Sequence, residues 1–97
     1  TEEKLAVTLP PKRPYEKCMD VKETQQLAFN FISQAPFSFN LHYHNEGDVF
    51  YEIKEESVAE FDYTFKPKKR AYYCLMWANP GIEKVEMKYE LRIQNRS

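Results

Sequence analysis

Ala35-Pro36-Phe37-Ser38-Phe39-Asn40-Leu41-His42-Tyr43-His44-Asn45-Glu46-Gly47-Asp48 decides the fold class. On an extended chain Phe37, Phe39, Leu41 and Tyr43 point to one side, and Ser38, Asn40, His42 and His44 to the other. A period of two, apolar on one side and polar on the other, marks a half-buried β-strand. Pro36 opens this strand, and Asn45-Glu46-Gly47-Asp48 closes it as a turn. Its polar side carries the two histidines of the chain.

The same pattern repeats outward in both directions. Upstream, Gln25 to Ser33 sets Leu27, Phe29 and Phe31 against Ala28, Asn30 and Ile32, and Tyr15 to Val21 forms another strand. Residues 1–14 predict an edge strand or extended arm followed by a stiff linker, because Pro10, Pro11 and Pro14 cannot feed a hydrogen-bonded ladder. Downstream, Asp48 to Ile53 pairs back on the opening strand, Lys54-Glu55-Glu56-Ser57 forms a charged loop, and Phe61, Tyr63 and Phe65 alternate with polar neighbours. Lys66-Pro67-Lys68-Lys69 is a solvated basic turn. Ala71-Tyr72-Tyr73-Cys74-Leu75-Met76-Trp77 is nearly continuous in apolar residues, as in a strand covered on both faces. Asn79-Pro80-Gly81 is a strong turn, and residues 82–93 alternate through Val85, Met87, Tyr89, Leu91 and Ile93. No helical period of useful length occurs. The expectation is an all-β antiparallel β-sandwich of seven or eight strands, jelly-roll-like, forming a single domain over 15–97. Its core would contain Phe29, Phe31, Phe39, Leu41, Phe61, Tyr63, Trp77, Met87, Tyr89 and Leu91.

Composition narrows the function classes. Two glycines leave no phosphate-cradling loop. A net charge of −1 argues against a dedicated nucleic-acid binder. No apolar run spans a bilayer and no signal peptide is present, as expected also of an excised or mature domain. No Ser/His/Asp order, paired-carboxylate arrangement or Gly-x-Ser-x-Gly turn stands out, so the chain is expected not to be an enzyme. Asn95-Arg96-Ser97 matches a glycosylation acceptor by accident of position.

Four segments in order carry a family resemblance: Lys17-Cys18-Met19-Asp20, Phe37-Ser38-Phe39-Asn40-Leu41, Val49-Phe50-Tyr51 and Ala71-Tyr72-Tyr73-Cys74-Leu75-Met76-Trp77-Ala78-Asn79. Followed by a long alternating last strand, this order resembles the GOLD (Golgi-dynamics) domain over roughly residues 15–93. The nearest likeness is to the lumenal domains of small transmembrane cargo receptors of the early secretory pathway. The resemblance implies a non-catalytic β-sandwich that contacts proteins, in trafficking or secretion. The receptors continue into a coiled coil and a membrane span, so a stand-alone or differently appended GOLD-like domain is expected.

Two residue pairs stand out chemically. Cys18 and Cys74, read alone, are either two buried thiols or a disulfide. The resemblance pairs them, facing each other across the sandwich. A bridge would place the protein in a secretory lumen, a periplasm or outside the cell, and free thiols in the cytoplasm. His42 and His44 share a strand face about 7 Å apart. They supply half of a Zn²⁺ or Cu²⁺ site, or are two unremarkable residues of a polar strand face. No other cofactor is implied. The function expected is thus a GOLD-like module that binds a protein partner, and the alternative is a small metal-handling domain using His42 and His44. The acidic residues Glu52, Glu55, Glu56, Glu60 and Asp62, beside the basic Lys66, Lys68, Lys69 and Arg70, form a dipolar surface able to steer such a partner.

Overall fold

The computed structural model describes residues 2–96. Six strands account for most of them: β1 (Glu2–Leu9), β2 (Pro14–Val21), β3 (Gln25–Asn45), β4 (Asp48–Phe65), β5 (Ala71–Ala78) and β6 (Val85–Asn95), and no helix occurs among the described residues. They form one antiparallel sheet in the order β1-β6-β3-β5-β2, with β4 paired to the other edge of β3.

The strand count is six rather than seven or eight because two pairs of expected strands are halves of longer ones. Residues 25–33 and 36–44 are both β3, and residues 48–53 and 60–65 are both β4. The expected break at Ser33-Gln34-Ala35-Pro36 is a bend inside β3. There the ladder with β4 jumps from Ile32/Glu60 to Phe37/Val58. Pro36 has no N–H to give, so a bulge is where a long strand tolerates it. The expected charged loop at Lys54-Glu55-Glu56-Ser57 likewise lies within β4. The β3–β4 turn is a two-residue hairpin in which Glu46 and Gly47 both take positive φ, 53° and 85°. That twist matches the flanking strands, and glycine accepts it without a Cβ clash.

The bend divides the sheet. Before it, β3 pairs with β6 from Gln25 to Ser33, and after it with β5 from Ser38 to Tyr43. The sheet therefore curls, and β5 and β6 face each other across the core instead of pairing. Trp77 of β5 stacks on Tyr89 of β6 with ring centroids 5.2 Å apart, and Phe31 and Phe39, on either side of the bend, approach to 4.8 Å. Aromatic rings spread over four strands close the centre. The Trp77 indole N–H is the one buried side-chain polar atom without a hydrogen-bond partner among the described residues, and the Phe31 ring stands perpendicular to that indole at 5.7 Å.

The curl also brings the two ends of the sheet together. Lys17 of β2 pairs with Glu3 of β1 at 2.9 Å. Tyr89 donates its hydroxyl to Glu3 at 2.7 Å, which leaves Tyr15 of β2 to donate to Tyr89 at 3.1 Å. These contacts hold the Glu3 carboxyl below its usual range, the Lys17 hydrogen bond being the largest cause. Burial pushes the Tyr89 hydroxyl strongly upward. At the β5–β6 turn, buried Asn79 donates to the carbonyls of Leu9 and Glu83, at 3.1 and 2.7 Å, and accepts from the Gly81 N–H at 2.9 Å.

Eight of the ten expected core residues are buried. Phe61 is half-buried, and Tyr63 is 45% exposed. Tyr63 faces Phe29 across the ladder, but among the described residues no strand lies beyond β4 to cover its far side. The expectation that β5 is covered on both faces is also corrected. Tyr73, Leu75 and Trp77 enter the core, while Tyr72 on the opposite face is 62% exposed.

Candidate functional site

The chemistry-bearing side chains gather on the outer face of β2, β5, β3 and β4. Cys18 and Cys74 are direct cross-strand partners in the β2–β5 ladder, with Cα atoms 4.0 Å apart, and their sulfurs are joined in a disulfide. The bridge thus lies within one sheet between neighbouring strands, not across two layers as the resemblance implied. Cys74 in turn sits opposite His42 in the β3–β5 ladder. The period of two puts Glu16, two residues before Cys18, and Asn40 and His44, two residues either side of His42, on that same face.

His42 is the centre of this group. An outward-facing histidine is expected to be half exposed, yet His42 is only 3% exposed. The His44 ring packs edge-to-face on it at 5.2 Å, and Tyr51 of β4, its ladder partner, covers it at 5.9 Å. Lys54 caps the Tyr51 ring at 4.5 Å. Both imidazole nitrogens are engaged: Nδ1 lies 2.6 Å from Asn40 Oδ1, and Nε2 lies 3.2 Å from Glu16 Oε2. Burial pushes the His42 pKa below 6.5; the neighbouring Glu16 carboxylate opposes this, and His44 adds to it.

Among the described residues, the group of three potential ligand side chains with atoms all within 4.8 Å of one another is Glu16, Cys18 and Cys74, which includes neither histidine, and its two sulfurs are bonded to each other. Glu16 was not legible as a site residue. Its only signal is its spacing of two from Cys18, which matters once the cysteine pairing is known.

A second surface is the free edge of β4. This strand runs for 18 residues, pairs among the described residues only with β3, and is exposed along most of its length. It carries six carboxylates, Asp48, Glu52, Glu55, Glu56, Glu60 and Asp62, against the single cation Lys54. The rest of the chain holds nine carboxylates and thirteen lysines and arginines, so the negative charge is concentrated here. Val49, Phe50, Tyr51 and Tyr63 add exposed apolar surface along the strand. A groove of about 550 Å³ where β1, β6 and the bend of β3 meet has only Glu86 and Lys88 as charged groups, and neither histidine nor cysteine.

No helix among the described residues is long and apolar enough to cross a membrane. The Asn95-Arg96-Ser97 triplet ends on Ser97, outside the described residues. No protein-family model matches the chain, and no curated protein matches it significantly.

Proposed function

We propose that this chain is a non-catalytic, GOLD-like β-sandwich module that binds a protein partner through the free edge of β4. The partner contributes an extended, lysine- or arginine-bearing segment that adds as a strand. The observation that carries this is the edge itself, 18 residues long, unpaired on one side, and bearing six carboxylates and one lysine. An unpaired edge offers a row of backbone donors and acceptors that an extended peptide satisfies, and side chains at alternate positions supply selectivity. Concentrated negative charge draws a basic segment toward the edge and repels a second copy of the same edge. The order of sequence landmarks supports the GOLD-like assignment and a role in trafficking or secretion. The disulfide supports an oxidising compartment such as a secretory lumen, a periplasm or the extracellular space.

The test is titration of the ¹⁵N-labelled protein with a synthetic peptide alternating lysine and valine, and with its glutamate–valine counterpart. The expected result is amide shifts confined to β4 and its β3 neighbours, with the lysine peptide only. Binding weakens with salt and with Glu55→Lys/Glu56→Lys. Shifts elsewhere, or binding indifferent to the charge reversal, overturn the proposal.

A further inference from the structure

We propose that opening the Cys18–Cys74 disulfide converts the outer face of β2, β3 and β5 into a tetrahedral Zn²⁺ site formed by Cys18 Sγ, Cys74 Sγ, His42 Nε2 and Glu16. The site is independent of the β4 edge and of any partner bound there.

Three features of the geometry carry it. First, three of the four ligand atoms are already close, and the fourth adjoins one of them. Glu16, Cys18 and Cys74 present theirs within 4.8 Å of one another, and His42 Nε2 stands 3.2 Å from Glu16 Oε2. Bonds of about 2.0–2.3 Å to one zinc ion place tetrahedral ligand atoms about 3.3–3.8 Å apart, so the two sulfurs must part and turn toward Glu16 and His42 once the disulfide opens. Second, the imidazole is prepared as a ligand. Its Nδ1 faces the Asn40 side-chain carbonyl at 2.6 Å, and this contact fixes the N–H on Nδ1 and leaves the Nε2 lone pair for a metal. Third, that tautomer turns the Nε2 lone pair toward a carboxylate oxygen at 3.2 Å. Two acceptors at this distance repel unless a cation, either a proton on His42 or a metal, lies between them. The donor set of two thiolates, one imidazole and one carboxylate suits zinc, whereas the calcium and magnesium ions prefer oxygen ligands.

The chemistry balances with a dithiol reductant. Two electrons and two protons pass from the dithiol to the cysteine sulfurs, and the dithiol closes to its own disulfide. Zinc then displaces the two thiol protons to solvent as the thiolates bind. Disulfide and metal thus exclude each other, and the same two cysteines tie β2 to β5 in either state.

Co²⁺ serves as the spectroscopic probe of the whole protein, purified under reducing conditions and followed in parallel by circular dichroism. The reduced protein is expected to bind one Co²⁺ with thiolate-to-cobalt charge-transfer bands and intense tetrahedral d–d bands, and Zn²⁺ to displace it. The oxidised protein gives neither band. His42→Gln and Glu16→Gln each weaken binding by at least the roughly 10–100-fold lost with an outer-shell partner, while His44→Gln binds as wild type. If reduction unfolds the chain, zinc is expected to restore the β-sheet spectrum. The proposal is overturned if the reduced protein gives no charge-transfer band, if it stays unfolded with zinc, or if His42→Gln and Glu16→Gln bind unchanged.

Discussion

Phe39→Ala tests the bend that organises the sheet. Phe39 lies just past Pro36, is 1% exposed, and pairs with Trp77 on one side of β3 and Glu55 on the other. Its ring meets four others, at 4.8 Å to Phe31, 5.4 Å to Phe61, 5.5 Å to Trp77 and 5.6 Å to Phe29. Truncating a buried phenylalanine costs about 3–5 kcal/mol, combining lost transfer energy and the cavity left behind. The upper half of that range applies, because each aromatic pair adds about 0.5–1.5 kcal/mol beyond buried area. The site also has little freedom to collapse, since its neighbours come from both halves of the curled sheet. For a domain of this size, each 1 kcal/mol lowers Tm by roughly 4–8 °C, so a fall of about 16–40 °C is expected from a loss of about 4–5 kcal/mol. Total stability is about 5–15 kcal/mol, so the loss removes from about a quarter to nearly all of it. Urea and thermal unfolding followed by circular dichroism measure this, with Tyr72→Ala, at a 62% exposed position, as the control. A shift no larger than that of Tyr72→Ala refutes the placement of Phe39 between the two halves.

Replacing both cysteines by serine, with a chelator present, opens a loop closed across 56 positions and should cost about 4 kcal/mol on the chain-entropy account; an unchanged urea midpoint would contradict the bridge. His42 contributes to the pH dependence with a definite sign. Its folded pKa is pushed below 6.5 by burial, so the unfolded chain binds the proton first as acidity rises. Its contribution is complete above pH 6.5 and is lost as pH falls through the window below it, whereas the lowered carboxyls of Glu3 and Asp20 act only in the more acidic range. Urea midpoints of the wild type should fall through that window, and those of His42→Gln should stay flatter. Parallel profiles would remove His42 as the cause.

The sequence pattern carries the strands well and their continuity poorly. Alternation at Leu27-Phe29-Phe31, Phe39-Leu41-Tyr43 and Met87-Tyr89-Leu91 reports side-chain direction, which depends only on local geometry, and the buried residues follow it. A proline inside a run looks like a strand end, because its missing N–H is local while the bulge that accommodates it is set by the partner strand. The same limit hides the site. That Cys18 and Cys74 pair within one sheet, and that His42 sits beside Cys74, are properties of ladder registers between segments far apart in sequence. Burial of His42 depends further on Tyr51 from β4. Asn79 shows the reverse case. Asn-Pro-Gly announces a turn, but the buried side chain tying that turn to Leu9, 70 residues away, has no local signature.

The fold treats its edges unequally, and this asymmetry connects architecture to partner choice. β1 and β2 end the sheet, are eight residues long, and flank the segment holding Pro10 and Pro11, with Pro14 opening β2. The curl turns them toward each other; Glu3–Lys17 joins them directly, and Tyr15 reaches Glu3 through the Tyr89 hydroxyl of β6. β4 is more than twice as long and has no strand facing its free side among the described residues. A few charges would suffice to keep such an edge from pairing with its own kind, since one or two unfavourable cross-strand neighbours already oppose it. Six carboxylates spread from Asp48 to Asp62 do more. They oppose self-pairing along most of the strand and, on the proposed reading, favour a basic one. On the same reading, the exposed Val49, Phe50, Tyr51 and Tyr63 would choose among basic strands by the side chains that pack on them. If the edge docks a basic strand as proposed, its selectivity is electrostatic at long range and steric at contact, so added salt should slow association while leaving the preferred peptide sequence unchanged.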